Sequence, residues 1–177
     1  MSNILILAFL FFAGCLIGWG IEVIFRRFEP SNKARKWINP GFLIGPYLPL
    51  YGFGLCTLYL LAGLEKFIHI DNTALQKFIL FLLMAVAMTV IELIAGEIFI
   101  VRMHVKLWDY SGNKFNYKGI ICPLYSFIWA ALGAVYFFFI HPYILDALNW
   151  LANNLAFSFF IGFFSVSYTH LTLPTIR

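Results

Sequence analysis

The sequence predicts an all-α fold: a polytopic transmembrane helical bundle of about five helices, with a tandem parallel two-helix repeat. Three observations predict it. Of the 177 residues, 62% are hydrophobic and only 11% are charged, whereas a soluble domain carries about 25% charged residues. The apolar residues are gathered into runs long enough to cross a bilayer. One ordered set of motifs also occurs twice along the chain.

Five apolar runs predict the five helices, at residues 4–25, 41–64, 78–101, 119–140 and 143–165. A helix needs about 20 apolar residues to cross the ~30 Å of hydrocarbon in a bilayer. No basic residue precedes the first run, and the run continues past Cys15. We therefore interpret it as an uncleaved helix, since a cleaved signal has a basic start and a short apolar core. The fifth run is the most polar, and its first turns are expected in the membrane interface.

One transmembrane domain is predicted over residues 1–165, with repeat units at about 4–64 and 78–140 and the fifth helix at 143–165. Residues 166–177 differ abruptly in composition from the Phe-rich run before them. They resemble one reading frame of a transposon-type sequencing adapter. We interpret them as a non-native tail and exclude them from functional argument.

The basic residues of the loops predict the orientation of the helices. Loop 26–40 contains five Lys or Arg and loop 102–118 contains four, whereas loop 65–77 contains two. Cytoplasmic loops of membrane proteins carry an excess of Lys and Arg. Loops 26–40 and 102–118 are therefore predicted to be cytoplasmic, with the N-terminus outside. The net charge of +4 is explained by these loops, and no nucleic-acid partner is predicted.

The repeat consists of a glutamate near the end of a helix, a basic loop, an Asn-x-Gly type turn and a Gly/Pro-rich entry into the next helix. The first copy runs from Glu22 in GWGIEVIFRR to NPGFLIGPYLPLYG, and the second from Glu97 in GEIFIVR to NYKGIICPLYS. The two glutamates are 75 positions apart and the two PLY tripeptides are 74 apart. Such Gly/Pro-rich entries indicate either a binding site, as in broken transporter helices, or close packing through small residues.

Glu92 and Glu97 are the only charged residues between positions 78 and 101. Glu92 is ten residues from Arg102, about 15 Å from that end of the helix. A charge at such a depth costs on the order of 3 kcal/mol on insertion scales. Glu92 must therefore face the bundle interior, stay protonated, or accept hydrogen bonds from a neighbouring helix. It is the strongest candidate for contact with an ion, a proton or a substrate.

Glu22 and Glu97 are expected in one polar layer nearer the cytoplasmic ends of their helices. Each also has a structural interpretation. Glu22 is placed to pair with Arg26 at i, i+4, and Glu97 is placed to pair with Arg102 or Lys106. These alternatives remain open from the sequence.

The segment KLWDYSGNKFN, residues 106–116, is the densest polar patch. One interpretation places Asp109, Arg102 and the glutamates in a single cytoplasm-facing polar cluster. The other is an interfacial anchor with a structural salt bridge, since Trp and Tyr are typical of the headgroup region. Asn39 and Asn116 occupy corresponding turns and complete the set of candidate substrate-binding or ion-binding residues.

No recognised catalytic or cofactor motif occurs in the chain. There is no HExxH, GxSxG or GxxxxGK sequence, the last being the phosphate loop of P-loop ATPases. The three cysteines form no CxxC pair, so neither a metal site nor a disulfide framework is predicted. We therefore predict no catalytic residue, no metal and no cofactor, and an enzyme is the less favoured class.

Several motifs together resemble one bacterial membrane-protein family. They are Gly18-Trp19-x-x-Glu22, Asn39-x-Gly41-Phe42-Leu43-x-Gly45-Pro46-x-x-Pro49-x-Tyr51-Gly52, Glu92 with Gly96, Trp108-Asp109-Tyr110-Ser111, and Asn116-x-x-Gly119-x-Ile121-Cys122. The chain resembles the ABC-transporter type IV membrane proteins, the CmpB-like family. The resemblance covers about residues 18–125. It implies a small, multi-pass protein of the bacterial inner membrane, with the role of a transport permease.

Three functions are compatible with the sequence. The first is a transport component whose separate ATPase subunit docks on loops 26–40 and 102–118. The second is a non-catalytic assembly or scaffold protein in which the acids hold helices together. The third is a membrane-embedded enzyme acting on a lipid or lipid-linked substrate through Glu22, Glu97, Asp109 and Arg102. Membrane lipid is an expected partner in all three, and four or five helices would form a pore only as a homo-oligomer or with a partner.

Overall fold

A computed structural model of the chain describes residues 3–30, 32–40, 45–68, 70–152 and 156–172. The regular elements within these ranges are helices, so the predicted all-α fold is confirmed. They are α1 (Asn3–Phe28), α2 (Pro49–Gly63) with a 3-10 turn at Leu64–Lys66, α3 (Thr73–Gly96), α4 (Pro123–Val135), α5 (His141–Ala152) and α6 (Ala156–Thr172). The chain divides into two compact units, one of residues 1–55 and 148–177 and one of residues 56–147.

Three helical stretches are long and apolar enough to cross a membrane: Asn3–Phe28, Thr73–Arg102 and Pro123–Trp150. They correspond to the first, third and fourth predicted runs. α2 has 15 residues, fewer than a full crossing needs. The predicted second run begins earlier, at residue 41, but residues 41–44 lie outside the described part of the chain.

The boundary between the fourth and fifth predicted helices differs from expectation. Helical backbone continues from Pro123 to Ala152, because a π-helical segment, Tyr136–Ile140, joins α4 to α5. Pro142 lies directly after this segment, and proline cannot donate to the carbonyl four residues earlier. A π-bulge lets a helix accommodate such a missing bond. The end of the fifth predicted run falls in α6, which continues to Thr172; residues 173–177 of the predicted tail are not among those described.

α3 carries two parallel apolar stripes, which is the pattern of a helix between protein and lipid. One stripe is buried: Leu80, Met84, Met88, Glu92 and Gly96. The other is exposed: Leu82, Val86, Val90, Ile94 and Ile98. A helix in water would place polar residues on its exposed face. The exposed stripe is therefore suited to acyl chains, and Glu92 is the only charged residue of the buried one.

The ends of α3 follow from local chemistry. Asn72 precedes the helix in extended conformation, and its side-chain oxygen accepts hydrogen bonds from the amides of Ala74 and Leu75, at 3.0 and 3.2 Å. Asparagine is among the best residues for this capping position. At the other end the helix continues as a π-helical turn, Glu97–Arg102. The whole helical stretch thus has 30 residues, which is long enough for a tilted membrane crossing.

Within the first unit, α1 and the start of α2 pack through glycines. A Cβ at Gly52 would lie 2.7 Å from the carbonyl oxygen of Phe11 and 2.6 Å from Cys15 Sγ. A Cβ at Gly14 would lie 2.8 Å from the carbonyl oxygen of Tyr51. Small residues allow this approach of two backbones. Of the two interpretations of the Gly/Pro-rich entry into α2, the geometry at Gly52 is that of close packing.

Candidate functional site

In the first unit, Glu22 binds two partners. Its Oε1 accepts a hydrogen bond from Arg26 Nε at 3.1 Å, so the i, i+4 pair expected from the sequence is present. Its Oε2 accepts a hydrogen bond from the hydroxyl of Tyr51 at 2.9 Å. Tyr51 belongs to the first PLY tripeptide, so the repeat motif supplies a hydrogen-bond donor to the glutamate of the same copy. The carboxylate therefore ties α1 to α2.

Asn39 contacts the same helix at a neighbouring position. Its Oδ1 accepts a hydrogen bond from the indole nitrogen of Trp19 at 2.6 Å. Trp19 lies one turn before Glu22 on α1. Asn39 thus holds the chain segment before α2 against α1, which is a structural contact for a residue predicted as a candidate binding group.

In the second unit, the segment between α3 and α4 folds into a compact loop. Lys118 and Gly119 both have positive φ, at 53° and 69°, and the amide of Ile120 donates to the carbonyl of Tyr117 at 2.9 Å. Two successive positive φ values inside such a bond define a type I′ turn. The turn closes an antiparallel bridge between Tyr117 and Ile121. Gly119 fits here because glycine, having no Cβ, adopts a positive φ at no steric cost.

Asn116 and Trp108 hold the loop in shape. The side-chain amide of Asn116 donates to the carbonyls of Ser111 and Asn113, at 3.2 and 2.8 Å, and its oxygen accepts from the amide of Gly119 at 3.0 Å. The indole nitrogen of Trp108 donates to the carbonyl of Ile120 at 2.9 Å. Asn116 therefore organises the loop backbone, and we refer to residues 108–121 as the folded loop.

The folded loop places the Tyr110 hydroxyl beside Glu92, the buried carboxylate of α3. Glu92 is 2% exposed, and its Oε1 accepts a hydrogen bond from Tyr110 Oη at 2.9 Å. The Tyr110 ring stacks on that of Tyr125, with centroids 4.0 Å apart and planes inclined by 8°. Tyr125 belongs to the second PLY tripeptide. Glu92 thus faces the interior and accepts a hydrogen bond, as predicted, but its donor comes from a loop and not from a neighbouring helix.

Glu97 has a different partner from either expected cation. Its Oε1 lies 2.6 Å from the ammonium of Lys118, which is 21 residues further along the chain. This hydrogen bond to Glu97 raises the pKa of Lys118 above its usual value. The type I′ turn places Lys118 beside the end of α3. Glu97 therefore pairs with Lys118 and not with the expected Arg102 or Lys106. Glu92 and Glu97 differ by about 140° around the helix, and they do contact different groups.

Asp109 pairs within the loop. Its Oδ2 lies 2.6 Å from Lys106 Nζ, and its Oδ1 accepts a hydrogen bond from the amide of Ser111 at 2.9 Å. The hydrogen bond from Lys106, followed by those from Ser111, holds the pKa of the Asp109 carboxyl well below its usual range. Arg102 is exposed and takes part in none of these pairs. The expected single cluster of Asp109, Arg102 and the glutamates is therefore replaced, among the described contacts, by separate pairs.

The paired carboxylate of Asp109 gives the loop a defined pH dependence. A carboxyl with a lowered pKa contributes stability above its unfolded pKa of about 3.9, and this is lost as the pH falls through the folded value. Asp109→Asn is therefore expected to lower the thermal midpoint in detergent by a constant amount between about pH 5 and 8, and by less below about pH 4. Lys106→Gln removes the other partner of the same ion pair and is expected to show the same pH profile. A difference that stays constant down to about pH 2 would contradict the pairing.

The described residues include no group of three or more His, Cys, Asp or Glu side chains placed to hold a metal ion. Three acids of the second unit instead meet tyrosine or lysine: Glu92, Glu97 and Asp109. Their chemistry is hydrogen bonding and proton exchange at a carboxylate, and among the described residues only the carboxylate of Glu92 is shielded from solvent. The candidate site is therefore Glu92 with Tyr110 and Tyr125.

Comparison with known proteins gives one match that covers almost the whole chain. A family model described as "Putative ABC-transporter type IV" matches residues 9–174. The chain belongs to this family. The resemblance found in the sequence motifs is thereby confirmed, and together with the apolar helices it identifies a membrane protein. No curated protein and no solved structure matches the chain.

Sequence reasoning about this ABC-transporter type IV protein found the acids but missed the tyrosines. Tyr51 and Tyr110 each donate to a candidate glutamate, and Tyr125 stacks on Tyr110. A signal was present, because two of the three tyrosines end the recurring PLY tripeptides and the third lies in the WDYS motif. The copies nevertheless differ in contacts: Glu22 accepts from a PLY tyrosine, whereas its counterpart Glu97 pairs with Lys118. The tandem repeat therefore stays a prediction.

Proposed function

We propose that this ABC-transporter type IV protein is the membrane component, a permease subunit, of a transporter powered by a separate ATPase. The observation that carries the proposal is Glu92, a carboxylate only 2% exposed on a helical stretch of 30 residues that is long enough to cross the membrane. Ionisable residues inside membrane-spanning segments are costly, and they commonly mark ion, proton or substrate pathways. The family description supports a role in transport. This chain contains no GxxxxGK phosphate loop, so ATP hydrolysis is assigned to a separate subunit.

The surroundings of Glu92 support a role in binding rather than in covalent chemistry. The Tyr110 hydroxyl donates to the carboxylate, and the stacked ring of Tyr125 covers the donor from one side. A carboxylate that accepts a hydrogen bond from a neutral hydroxyl can exchange that contact for a cation, a proton or a polar substrate group. Tyr110 sits on a loop, so such an exchange requires movement of a loop and not of a helix.

The same proposal includes a location for the chain. We place it as a multi-pass protein of the bacterial inner membrane with its N-terminus outside, so that loops 26–40 and 102–118 face the cytoplasm. The positive-inside rule supports this orientation. In this orientation the folded loop is on the side where an ATPase subunit would dock, and it connects that side directly to Glu92. A pore would be completed by a partner subunit or by a second copy of the chain.

The proposal is tested by purifying the full-length protein from its own host in mild detergent and identifying bound proteins by mass spectrometry. We expect a nucleotide-binding ATPase to co-purify. In liposomes of host lipids, Glu92→Gln is expected to lower ATP turnover by the complex about tenfold, the loss of roughly 1.4 kcal/mol of stabilisation. Glu97→Gln is the matched control on the same helix, with turnover within about twofold of wild type. Purification of a homo-oligomer without any ATPase would refute the proposal.

A second function, that of an assembly or scaffold protein, is favoured by a specific observation. Glu22, Glu97 and Asp109 each form a salt bridge, with Arg26, Lys118 and Lys106 respectively. Acids used in this way hold chain segments together and need no ligand. In that case Glu92→Gln would lower the stability of the protein and leave the ATP turnover of any associated complex unchanged.

A further inference from the structure

The basic loop that follows α1 has a shape fixed by its own arginines. Arg27 Nη1 donates to the carbonyl of Arg35 at 2.7 Å, and Arg35 Nη1 donates to the carbonyl of Arg27 at 3.3 Å. Asn32 reinforces the loop: its amide donates to the carbonyls of Arg26 and Lys36 at 3.0 and 2.8 Å. These reciprocal bonds hold each guanidinium group at the backbone of the other arginine. Each guanidinium has five N–H donors, so most of them remain available for a ligand.

Two aromatic rings flank these guanidinium groups. The Arg27 guanidinium carbon lies 4.1 Å from the centre of the Trp37 ring, and that of Arg35 lies 5.6 Å from the centre of the Phe28 ring. Both rings are largely exposed, Trp37 at 65% and Phe28 at 63%. Phe28 is the last residue of α1, a helix long enough to cross the membrane. Exposed aromatics at such a helix end are typical of the headgroup level of a bilayer.

The charge of the loop is largely uncompensated. Arg26 pairs with Glu22, but the remaining basic side chains form no salt bridge within the described residues: Arg27, Lys33, Arg35 and Lys36. Glu29 is the one acid among residues 26–40. A cluster of basic residues directly beside a membrane-spanning helix attracts anionic lipid. Guanidinium groups in a fixed arrangement also match the two free oxygens of a phosphate, which a mobile lysine does not.

We propose that the side chains of this loop form a binding site for the headgroup of an anionic phospholipid. The phosphodiester accepts hydrogen bonds from the guanidinium groups of Arg27 and Arg35, with Lys33 and Lys36 around it. Trp37 and Phe28 contact the glycerol and the upper part of the acyl chains. The exposed aromatics favour a lipid over a soluble phosphate or an acidic protein surface, because only the lipid supplies an apolar part beside the phosphate. The site contains neither Glu92 nor its tyrosine partners, so it does not depend on the proposed role of Glu92.

The site is tested by native mass spectrometry of the full chain in detergent, titrated with dioleoylphosphatidylglycerol or dioleoylphosphatidylcholine. The wild type is expected to retain the anionic lipid preferentially. Lys33→Gln/Lys36→Gln is expected to weaken its binding about 30-fold, from roughly 1 kcal/mol for each basic residue at the membrane surface. Neither lysine side chain forms a hydrogen bond or salt bridge within the part of the chain that the structure describes, so this variant should fold normally. Arg27→Lys/Arg35→Lys keeps the charge but loses the paired donors, and about a tenfold loss is expected.

The matched control is Arg102→Gln/Lys114→Gln, which removes the same charge from the other basic loop. Its binding of phosphatidylglycerol should stay within about threefold of wild type. Equal losses in the control and in Lys33→Gln/Lys36→Gln would show attraction to charge in general and would overturn the proposal. Equal retention of the two lipids, or displacement of the lipid by soluble glycerol phosphate at comparable concentration, would overturn it as well. So would variants that keep the lipid but lose an acidic protein subunit in the purification described above.

Discussion

Gly18→Ala is expected to destabilise the first unit by about 3 kcal/mol. A Cβ at Gly18 would overlap Cβ and Cγ of Tyr51. These atoms are the root of the side chain, so they move only if α2 moves away from α1. Overpacking of this kind costs about 1–3 kcal/mol, and a displaced Tyr51 also loses its hydrogen bond to Glu22, worth about 1 kcal/mol. The free energy of unfolding in mixed detergent micelles, titrated with SDS, measures the effect.

Gly20→Ala is the matched control for this substitution. Gly20 lies on the same helix two residues later, and a Cβ there meets no atom within 4 Å. Glycine in a helix interior is less stable than alanine by roughly 0.5–1 kcal/mol, so the control variant should be as stable as the wild type or slightly more so. Equal effects of the two substitutions would show that Gly18 matters through helix propensity and not through contact with Tyr51.

A double-mutant cycle on Glu92 and Tyr110 is expected to give a coupling free energy of about 1–3 kcal/mol, the cost of leaving one buried partner of a hydrogen bond unsatisfied. Glu92→Leu removes the acceptor of the Tyr110 hydroxyl inside a buried stripe, and Tyr110→Phe removes the donor. Each single change therefore leaves a polar atom in an apolar place. The double variant removes both atoms, so it should be less destabilised than the sum of the single variants. Unfolding in detergent measures all four proteins.

Glu97→Gln combined with Tyr110→Phe provides the control cycle. Glu97 is bound to Lys118 and not to Tyr110, so these two changes should add within about 0.5 kcal/mol. Additive behaviour of the Glu92 and Tyr110 changes would mean that their 2.9 Å contact does not persist in solution.

The Glu92→Leu/Tyr110→Phe variant also separates stability from function. If it is stable yet inactive in the reconstituted complex, the carboxylate is needed for more than packing.

The two units use glutamate in different ways. The carboxylate of Glu22 is held by an arginine of its own helix and by Tyr51. The carboxylate of Glu92 accepts a hydrogen bond from Tyr110, which lies on a loop whose shape is stabilised by Asn116 and Trp108. A change in that loop would therefore reach Glu92 without any rearrangement of α3. Such a connection is compatible with the proposed transport role, in which a change in the loop would alter the contacts of Glu92.

The sequence by itself determined the features that depend on composition and on helical period. The membrane helices follow from apolar runs of the required length. The pair of Glu22 with Arg26 follows from a spacing of four residues, which places both side chains on one face of a helix. The sequence also shows that Glu92 places a carboxylate within an apolar run, where an unpaired charge is costly. Each of these features involves residues within one helix.

Only the tertiary structure decided the contacts between distant positions. Tyr110 reaches Glu92 from 18 residues away, and Lys118 reaches Glu97 from 21 residues away. Both depend on a loop whose path is set by successive positive φ angles at Lys118 and Gly119. Lysine rarely adopts that conformation, so local propensity does not reveal it. Likewise, helix propensity does not distinguish Gly18 from Gly20, and only the approach of Tyr51 makes Gly18 essential for packing.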